Sequence, residues 1–415
     1  MTPLRTLLAL AIAALTLQSS TERVATPLDA FLRSRVDSGD ASGVVAIVVD
    51  PHSTVYEGAF GKADVTHNRP MTTESIFRLA SMTKPVTSLA TMMLVEQGQI
   101  GLDDLVTKYL PEFSRIRVLD SSPKADGSFG THPPRRPITI RDLLTHTSGL
   151  AYSFVDTRLV KLDDGHKGPA DLPLVCEPGE RFVYGPNTAV LGDIIVNVSG
   201  MPLDRFFAAR IFEPLGMQDT FFTVPSDKRG RVVTLHMRGA DGSLKEIPNP
   251  AMLTSPVRGD GGLFSTAGDY ARFMQLFLNR GRAGDKRLVS ERTIALMATN
   301  QIGALRMTTQ ESADPSIARP FPFGAGKDTF GFGFQIEGVP ADPDLRSPGS
   351  LSWGGIFNTH FWIDPSRSLA AVVMMQLVPY YDGRAMEVLR GFEREVYRGK
   401  RRTPPPFIVL PSSVG

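Results

Sequence analysis

The chain has 415 residues, long enough for one large or two modest domains around a substantial core. Apolar residues make up 42% and charged residues 21%, the balance of an ordinary soluble globular protein. The formal net charge is +2, from 45 basic and 43 acidic residues, and gives no reason to expect nucleic acid or a charged surface as partner; the single cysteine, Cys176, excludes an intrachain disulfide.

The chain opens with Met1-Thr2-Pro3-Leu4-Arg5, an apolar run from Leu7 to Leu17 and a polar exit. This is a signal-peptide pattern over residues 1–20, and the run is too short to span a bilayer. It points to a periplasmic or secreted protein, with a cytoplasmic one as the alternative. Thr26-Pro27 is a cap followed by proline at the first helical position, and Leu28, Phe31 and Leu32 share one side of the helix that follows. Gly43 to Asp50 is a β-branched run without alternation, the pattern of a strand buried on both faces. Pro51 to Ser53 turns it into a paired antiparallel strand from Thr54 to Phe60.

The run from Pro85 to Glu96 places Val86, Leu89, Met92 and Met93 at helical spacing, with Ser81 at its N-terminal edge. Residues 101–137 hold many prolines and read as irregular. A short helix is expected within Ile138–Gly149, capped by the glycine, with His146 near its end as a packing or capping residue. After Glu177 to Asn187 a helix runs through Ser199-Gly200, and Pro202 to Leu215 reads as another. Strands are expected at 231–237 and 244–247. A helix begins at Thr266, with Asp269 completing a capping box. A shorter helix follows at 290–299, and 300–326 is loop. Strands return at 331–337, 358–364 and 369–376, and a closing amphipathic helix covers 382–396. Arg398 to Arg402 reads as the start of a solvated tail.

Both chain ends thus supply strands and helices. The expected fold is α/β (α+β), an antiparallel sheet flanked by the terminal helices, with a mostly helical second lobe. Its divisions are a discontinuous domain of 25–100 and 227–398, a lobe of 101–226 and a tail of 399–415. A cleft between two such units is a favoured ligand site.

The chemistry centres on Ser81-Met82-Thr83-Lys84. Residues three apart on a helix share a face, so Lys84 can sit beside the Ser81 hydroxyl. An ammonium withdrawn from water gives up its proton more readily, and the helix N-terminus favours negative charge. Ser81 is therefore the candidate nucleophile and Lys84 its activator. Ser121-Ser122-Pro123-Lys124 has the same spacing in a Pro/Gly/Asp loop, where no helix holds the lysine over the serine. No Gly-x-Ser-x-Gly elbow, His-Glu-x-x-His motif or phosphate-binding loop occurs, and the seven histidines lack metal-ligand spacing. No metal or organic cofactor is expected. Tyr184, read alone, is a buried aromatic whose hydroxyl closes a turn.

Phe77 to Pro85 resembles the nucleophile box of the serine hydrolases related to class C β-lactamases and penicillin-binding proteins. The likeness continues in order through Ile138–Gly149, Glu177-Pro178-Gly179 with Tyr184, Phe212–Met217, Gly261–Ala267, Trp353-Gly354-Gly355 and Phe361–Pro365, covering residues 25–398. It implies a β-lactamase/transpeptidase-like fold. It also implies that Ser81 is acylated, that Lys84 is its neighbouring lysine and that the Tyr184 phenol shuttles the proton. The asparagine that binds a β-lactam side-chain amide stands two residues after that tyrosine; here Pro186 occupies the place and Asn187 falls one step late. Lys-Thr-Gly is absent, and His166-Lys167-Gly168 lies on the wrong side of Tyr184. In its place stands Trp353-Gly354-Gly355, the form of family VIII carboxylesterases.

In this resemblance Trp353, Gly354 and Gly355 border the substrate, and the amides of Ser81 and Ile356 form an oxyanion hole. Loss of the lactam-binding lysine to an aromatic wall points to uncharged ester substrates. The resulting expectation is a serine carboxylesterase acting on small acyl esters. The alternatives are a β-lactamase, a D-amino-acid peptidase or amidase, and an acyltransferase. From another class, a β-lactam- or peptide-binding protein that does not turn over remains.

Overall fold

The computed structural model describes residues 26–247, 256–339, 342 and 345–398. The leader and tail expectations lie outside the described residues. Helix α1 (Pro27–Asp37) starts at Thr26, whose side chain accepts from the Asp29 amide while Asp29 answers with the reciprocal bond. This closes a capping box and satisfies donors that a helix start leaves open. Strands β1 (Gly43–Val49) and β2 (Thr54–Asp64) pair antiparallel, as the sequence pattern predicts. All seven residues of β1 are buried. A two-residue strand β3 (Arg69–Pro70) borders β2.

The remaining strands of this sheet come from the far end of the chain. They are β4 (Thr329–Phe330), β5 (Gln335–Ile336), β6 (Leu351–Gly355), β7 (Thr359–Asp364) and β8 (Leu369–Met374). The sheet order is β4-β5-β6-β7-β8-β1-β2-β3, with every neighbouring pair antiparallel. It is a mixed α/β arrangement with helices on both faces. Alternation along β1 explains the two-sided burial. Val44, Ala46 and Val48 pack with Leu32 and Phe392 of α1 and α6 (Gly383–Tyr397). Val45, Ile47 and Val49 face the core containing α2 (Thr83–Glu96) and α5 (Ala267–Leu278). Each fully buried Val or Ile contributes about 1.5–3 kcal/mol. Trp362 fixes α6 to the sheet: its Nε1 donates to Tyr397 Oη at 2.9 Å, which donates to Asp364 Oδ2 at 3.0 Å.

The structure corrects several local expectations. The strand expected at 331–337 is a hairpin of β4 and β5, because Gly333 takes φ +95° and turns the chain against Ser88. The irregular stretch of 101–137 contains a hairpin of Val118–Pro123 and Phe129–His132. The helix within 138–149, α3 (Ile140–Leu144), is capped at its C-terminus by Thr145, and Gly149 (φ +87°) serves a later turn. The box at Thr266 is half made: its side chain accepts from the Asp269 amide, but the Asp269 carboxylate accepts instead from Asp219 N and Thr220 Oγ1. The strands near 235–247 join Leu377–Val378 in a separate small sheet. The segment 187–199 forms α4 (Asn187–Ser199), ended by Gly200 in the left-handed region.

Candidate active site

Ser81 sits in a 3₁₀ turn, Ala80–Met82, that runs directly into α2. Ala80 before it takes φ +46°, a left-handed conformation that costs a non-glycine residue about 1–2 kcal/mol. Three contacts hold the turn in place. Leu79 N donates to Leu263 O at 2.8 Å, Tyr270 Oη donates to Met82 O at 3.0 Å, and Leu263 N donates to Thr83 Oγ1 at 3.3 Å. Strand β6 closes the other side. A Cβ on Gly355 would stand 2.1 Å from Leu79 O, so only glycine lets the strand end approach the serine turn this closely.

The turn brings three expected residues together. Lys84 Nζ lies 3.1 Å from Ser81 Oγ, and Tyr184 Oη lies 2.6 Å from the same oxygen. Lys84, in the first turn of α2, is buried at 2% exposure. Its Nζ stands 4.9 Å from the centre of the Tyr184 ring and 5.2 Å from that of Tyr152, a favourable place for a cation. Two further bonds, to Tyr152 Oη at 3.0 Å and to the Asp260 carbonyl at 2.7 Å, complete its shell.

Tyr152 and Asp260 escaped the sequence reading. Asp260 lies in the glycine run 259–262, which the sequence presents only as a tight turn before a helix. Thr87 of α2 holds that run by donating to Gly259 O at 2.6 Å. A Cβ on Gly259 would stand 2.1 Å from Thr188 O, so the run is wedged against α4. The Asp260 carboxylate accepts from Tyr152 Oη at 2.7 Å and from Arg258 through Nε at 3.0 Å and Nη2 at 2.9 Å. Burial alone would raise its pKa, but the Lys84 charge and the Arg258 and Tyr152 bonds outweigh it and hold the carboxyl below its usual range. Burial, with the Asp260 charge and Tyr184 acting in the same sense, pushes the Tyr152 phenol well above its usual value.

The loop of 300–326 has no regular pattern, yet it anchors the second box. The Tyr184 amide donates to Gln310 Oε1 at 2.9 Å, and Ala313 N donates to Phe154 O at 2.7 Å. Behind Tyr184, His146 (φ +56°) is buried with its ring 5.2 Å from the tyrosine ring. Its Nδ1 accepts from Asn187 Nδ2 at 2.8 Å, while Asn187 Oδ1 accepts from Ser148 Oγ. Asn187 is thus bound into the layer behind the tyrosine. Burial, helped by the Lys84 charge, drives His146 well below the ordinary imidazole value, so it is neutral.

Trp353 is 7% exposed, its ring 5.3 Å from Tyr184 and 5.5 Å from Phe330, so it backs the tyrosine. Gly354 leaves room for the Tyr380 hydroxyl, which would lie 2.7 Å from an added Cβ. Ile356 is half-buried in the β6–β7 turn, immediately after the glycine that touches Leu79. Ser121 and Lys124 are exposed on the hairpin of Val118–Pro123 and Phe129–His132. A cleft of 490 Å³ lined by Phe323, Glu337, Arg346 and Arg390 has neither Ser81 nor Tyr184 in its walls. Among the described residues no cluster of His, Cys, Asp or Glu is arranged to hold a metal, and no helix is long and apolar enough to cross a membrane.

A half-exposed serine hydroxyl thus lies between a buried lysine and a tyrosine, at a turn entered through a left-handed alanine. Residues 28–391 match the Beta-lactamase family model, and the chain belongs to that family. It is 35% identical to Protein Rv1367c of Mycobacterium tuberculosis, covering 84% of this chain and 89% of the relative. It is 30% identical to Esterase EstB of Burkholderia gladioli, covering 87% of this chain and 92% of the relative. The solved structure of simvastatin synthase (LovD) from Aspergillus terreus superposes with a TM-score of 0.78 at 26% identity, covering 91% of this chain and 98% of that one. Esterases and acyltransferases both occur among the relatives.

Proposed function

We propose that this protein is a serine carboxylesterase that hydrolyses small, uncharged acyl esters through an acyl-enzyme on Ser81. The observation that carries the reading is the hydrogen-bonded set Lys84–Ser81–Tyr184, with Nζ at 3.1 Å and Oη at 2.6 Å from the serine oxygen. Ser81 Oγ forms a bond to the ester carbonyl carbon as its proton passes into the Lys84–Tyr184 pair. The carbonyl π pair becomes an oxyanion, which the amides of Ser81 and Ile356 receive. Collapse breaks the bond to the alcohol oxygen, and the departing alkoxide takes the stored proton. Water repeats the sequence on the acyl-enzyme and releases the acid.

Ester preference rests on the third box. Trp353 stands where a lactam-binding lysine would be, and its ring packs on Tyr184 instead of offering a charge to a carboxylate. A second reading, acyl transfer to an alcohol in place of water, draws on the acyltransferases among the similar proteins. The signal-peptide pattern supports export to the periplasm or medium, which fractionation of expressing cells tests.

The deciding experiment is a p-nitrophenyl ester chain-length series beside a chromogenic cephalosporin, on wild type and Ser81→Ala. Ester turnover that exceeds cephalosporin turnover and disappears in Ser81→Ala is expected. Faster cephalosporin turnover than on every ester would make it a β-lactamase. Stoichiometric acylation without turnover would make it a binding protein. Addition of a primary alcohol with product analysis separates hydrolysis from transfer.

A further inference from the structure

We propose that Tyr152 and Asp260 form a positioning unit that aims the third valence of the Lys84 nitrogen at Ser81; this rests on Ser81 being the nucleophile.

The inference follows from which groups can donate. The Tyr152 phenol keeps its hydrogen, because burial and the Asp260 charge oppose ionisation. That hydrogen is directed to Asp260 Oδ2 at 2.7 Å. Toward Lys84 the Tyr152 oxygen is therefore only an acceptor. The Asp260 carbonyl is an acceptor by nature. Two directions on the lysine nitrogen must then be N–H donors, to Tyr152 at 3.0 Å and to Asp260 O at 2.7 Å. The remaining direction faces Ser81 Oγ at 3.1 Å. In the amine it is a lone pair, and in the ammonium it is an N–H.

One side-chain conformation therefore serves both protonation states. The Ser81 proton moves onto the lysine lone pair as the serine oxygen bonds to the carbonyl carbon and the π pair moves to the carbonyl oxygen. The new N–H already points at that serine oxygen, so the lysine has nothing to rearrange. Tyr184 donates to the other side of Ser81 Oγ at 2.6 Å, the side from which a leaving alkoxide can be protonated.

The unit is held from outside as well. Arg258, half exposed, clamps the Asp260 carboxylate through two nitrogens. The groups facing Lys84 are Ser81, Tyr152, Tyr184, the neutral His146 and Asp260, with the Arg258 charge beyond. Asp260 supplies the carboxylate in that set.

The test compares Tyr152→Phe, Asp260→Asn and Arg258→Gln with wild type and Ser81→Ala, using p-nitrophenyl acetate across the pH range, with thermal unfolding of each variant. Tyr152→Phe is expected to lower kcat about 100-fold with KM little changed, because the lysine is free to turn from the serine. Asp260→Asn retains an acceptor for Tyr152 but removes the negative charge. The acidic limb of kcat/KM is then expected to move about one unit to lower pH. Arg258→Gln removes a like charge from a half-exposed side chain and is expected to move that limb upward. A merely structural role would lower stability and active fraction without moving the limb. A Tyr152→Phe effect confined to KM, kcat within about threefold of wild type, or a limb that stays fixed in both charge variants overturns the unit. Turnover surviving Ser81→Ala defeats the nucleophile reading itself; an inactive Ser81→Ala beside unaffected Tyr152→Phe and Asp260→Asn defeats the positioning unit alone.

Discussion

Ser81–Lys84 and Ser121–Lys124 have the same spacing and opposite surroundings. The first pair lies where a 3₁₀ turn enters α2, and its two side-chain tips are 3.1 Å apart. The second begins on the strand Val118–Pro123, where residues three apart point to opposite faces, and both its members are exposed. The lysine of the first pair is enclosed by two tyrosine rings and a carbonyl; that of the second is in water. The motif therefore has no chemistry of its own. Helical periodicity brings the groups together, and burial encloses them.

Exchanging the two pairs as targets sharpens the contrast. Ser81→Ala is expected to lower ester kcat by about 10⁴-fold or more, while Ser121→Ala leaves the rate unchanged; a p-nitrophenyl acetate assay of both variants checks this. Lys84→Met follows, with a loss of about 100- to 10,000-fold, against none for Lys124→Met. Gly355→Ala tests the setting of the serine while leaving the pair intact. Its Cβ would stand 2.1 Å from Leu79 O and 2.4 Å from Thr359 Oγ1. Steady-state kinetics should show a loss of about 100-fold, and denaturant unfolding a cost of about 1–3 kcal/mol. The smallest effect marks the line between stability and activity. Thr26→Ala removes the α1 cap, on the terminal-helix side of the sheet, and should cost about 1 kcal/mol in unfolding with no change in kcat.

Local chemistry made the first box legible. Val86, Leu89 and Met92 announce the helix, and the helix announces the Ser81–Lys84 contact. The β-branched run of β1 and the amphipathic α6 were equally plain, because each is decided by neighbours in sequence. Tyr184, Trp353 and the paired glycines became legible only through a family pattern, since nothing near them in the chain states what they face. Tyr152 and Asp260 were missed for the same reason carried further. Their partner is Lys84, and only the fold brings the three together. Asp260 had one visible signal, its place inside Gly259–Gly262, a run whose density of glycine marks close backbone approach. The hairpin at 329–336 was illegible because its strands are two residues each and its turn depends on Gly333; that at 118–132 was illegible because its strand Val118–Pro123 ends in Asp, Ser, Ser and Pro with no apolar alternation.

The sheet order has a consequence for how this chain is made. Strand β1 lies between β2, which follows it at once, and β8, with Val45 opposite Met374. While the polypeptide is being synthesised, one edge of a seven-residue apolar strand stays open until almost the whole chain has emerged. Such an edge is a template for pairing with other chains. Contacts this distant in sequence also form slowly. Gly43–Val49 is therefore open to such pairing until β8 arrives to cover its edge.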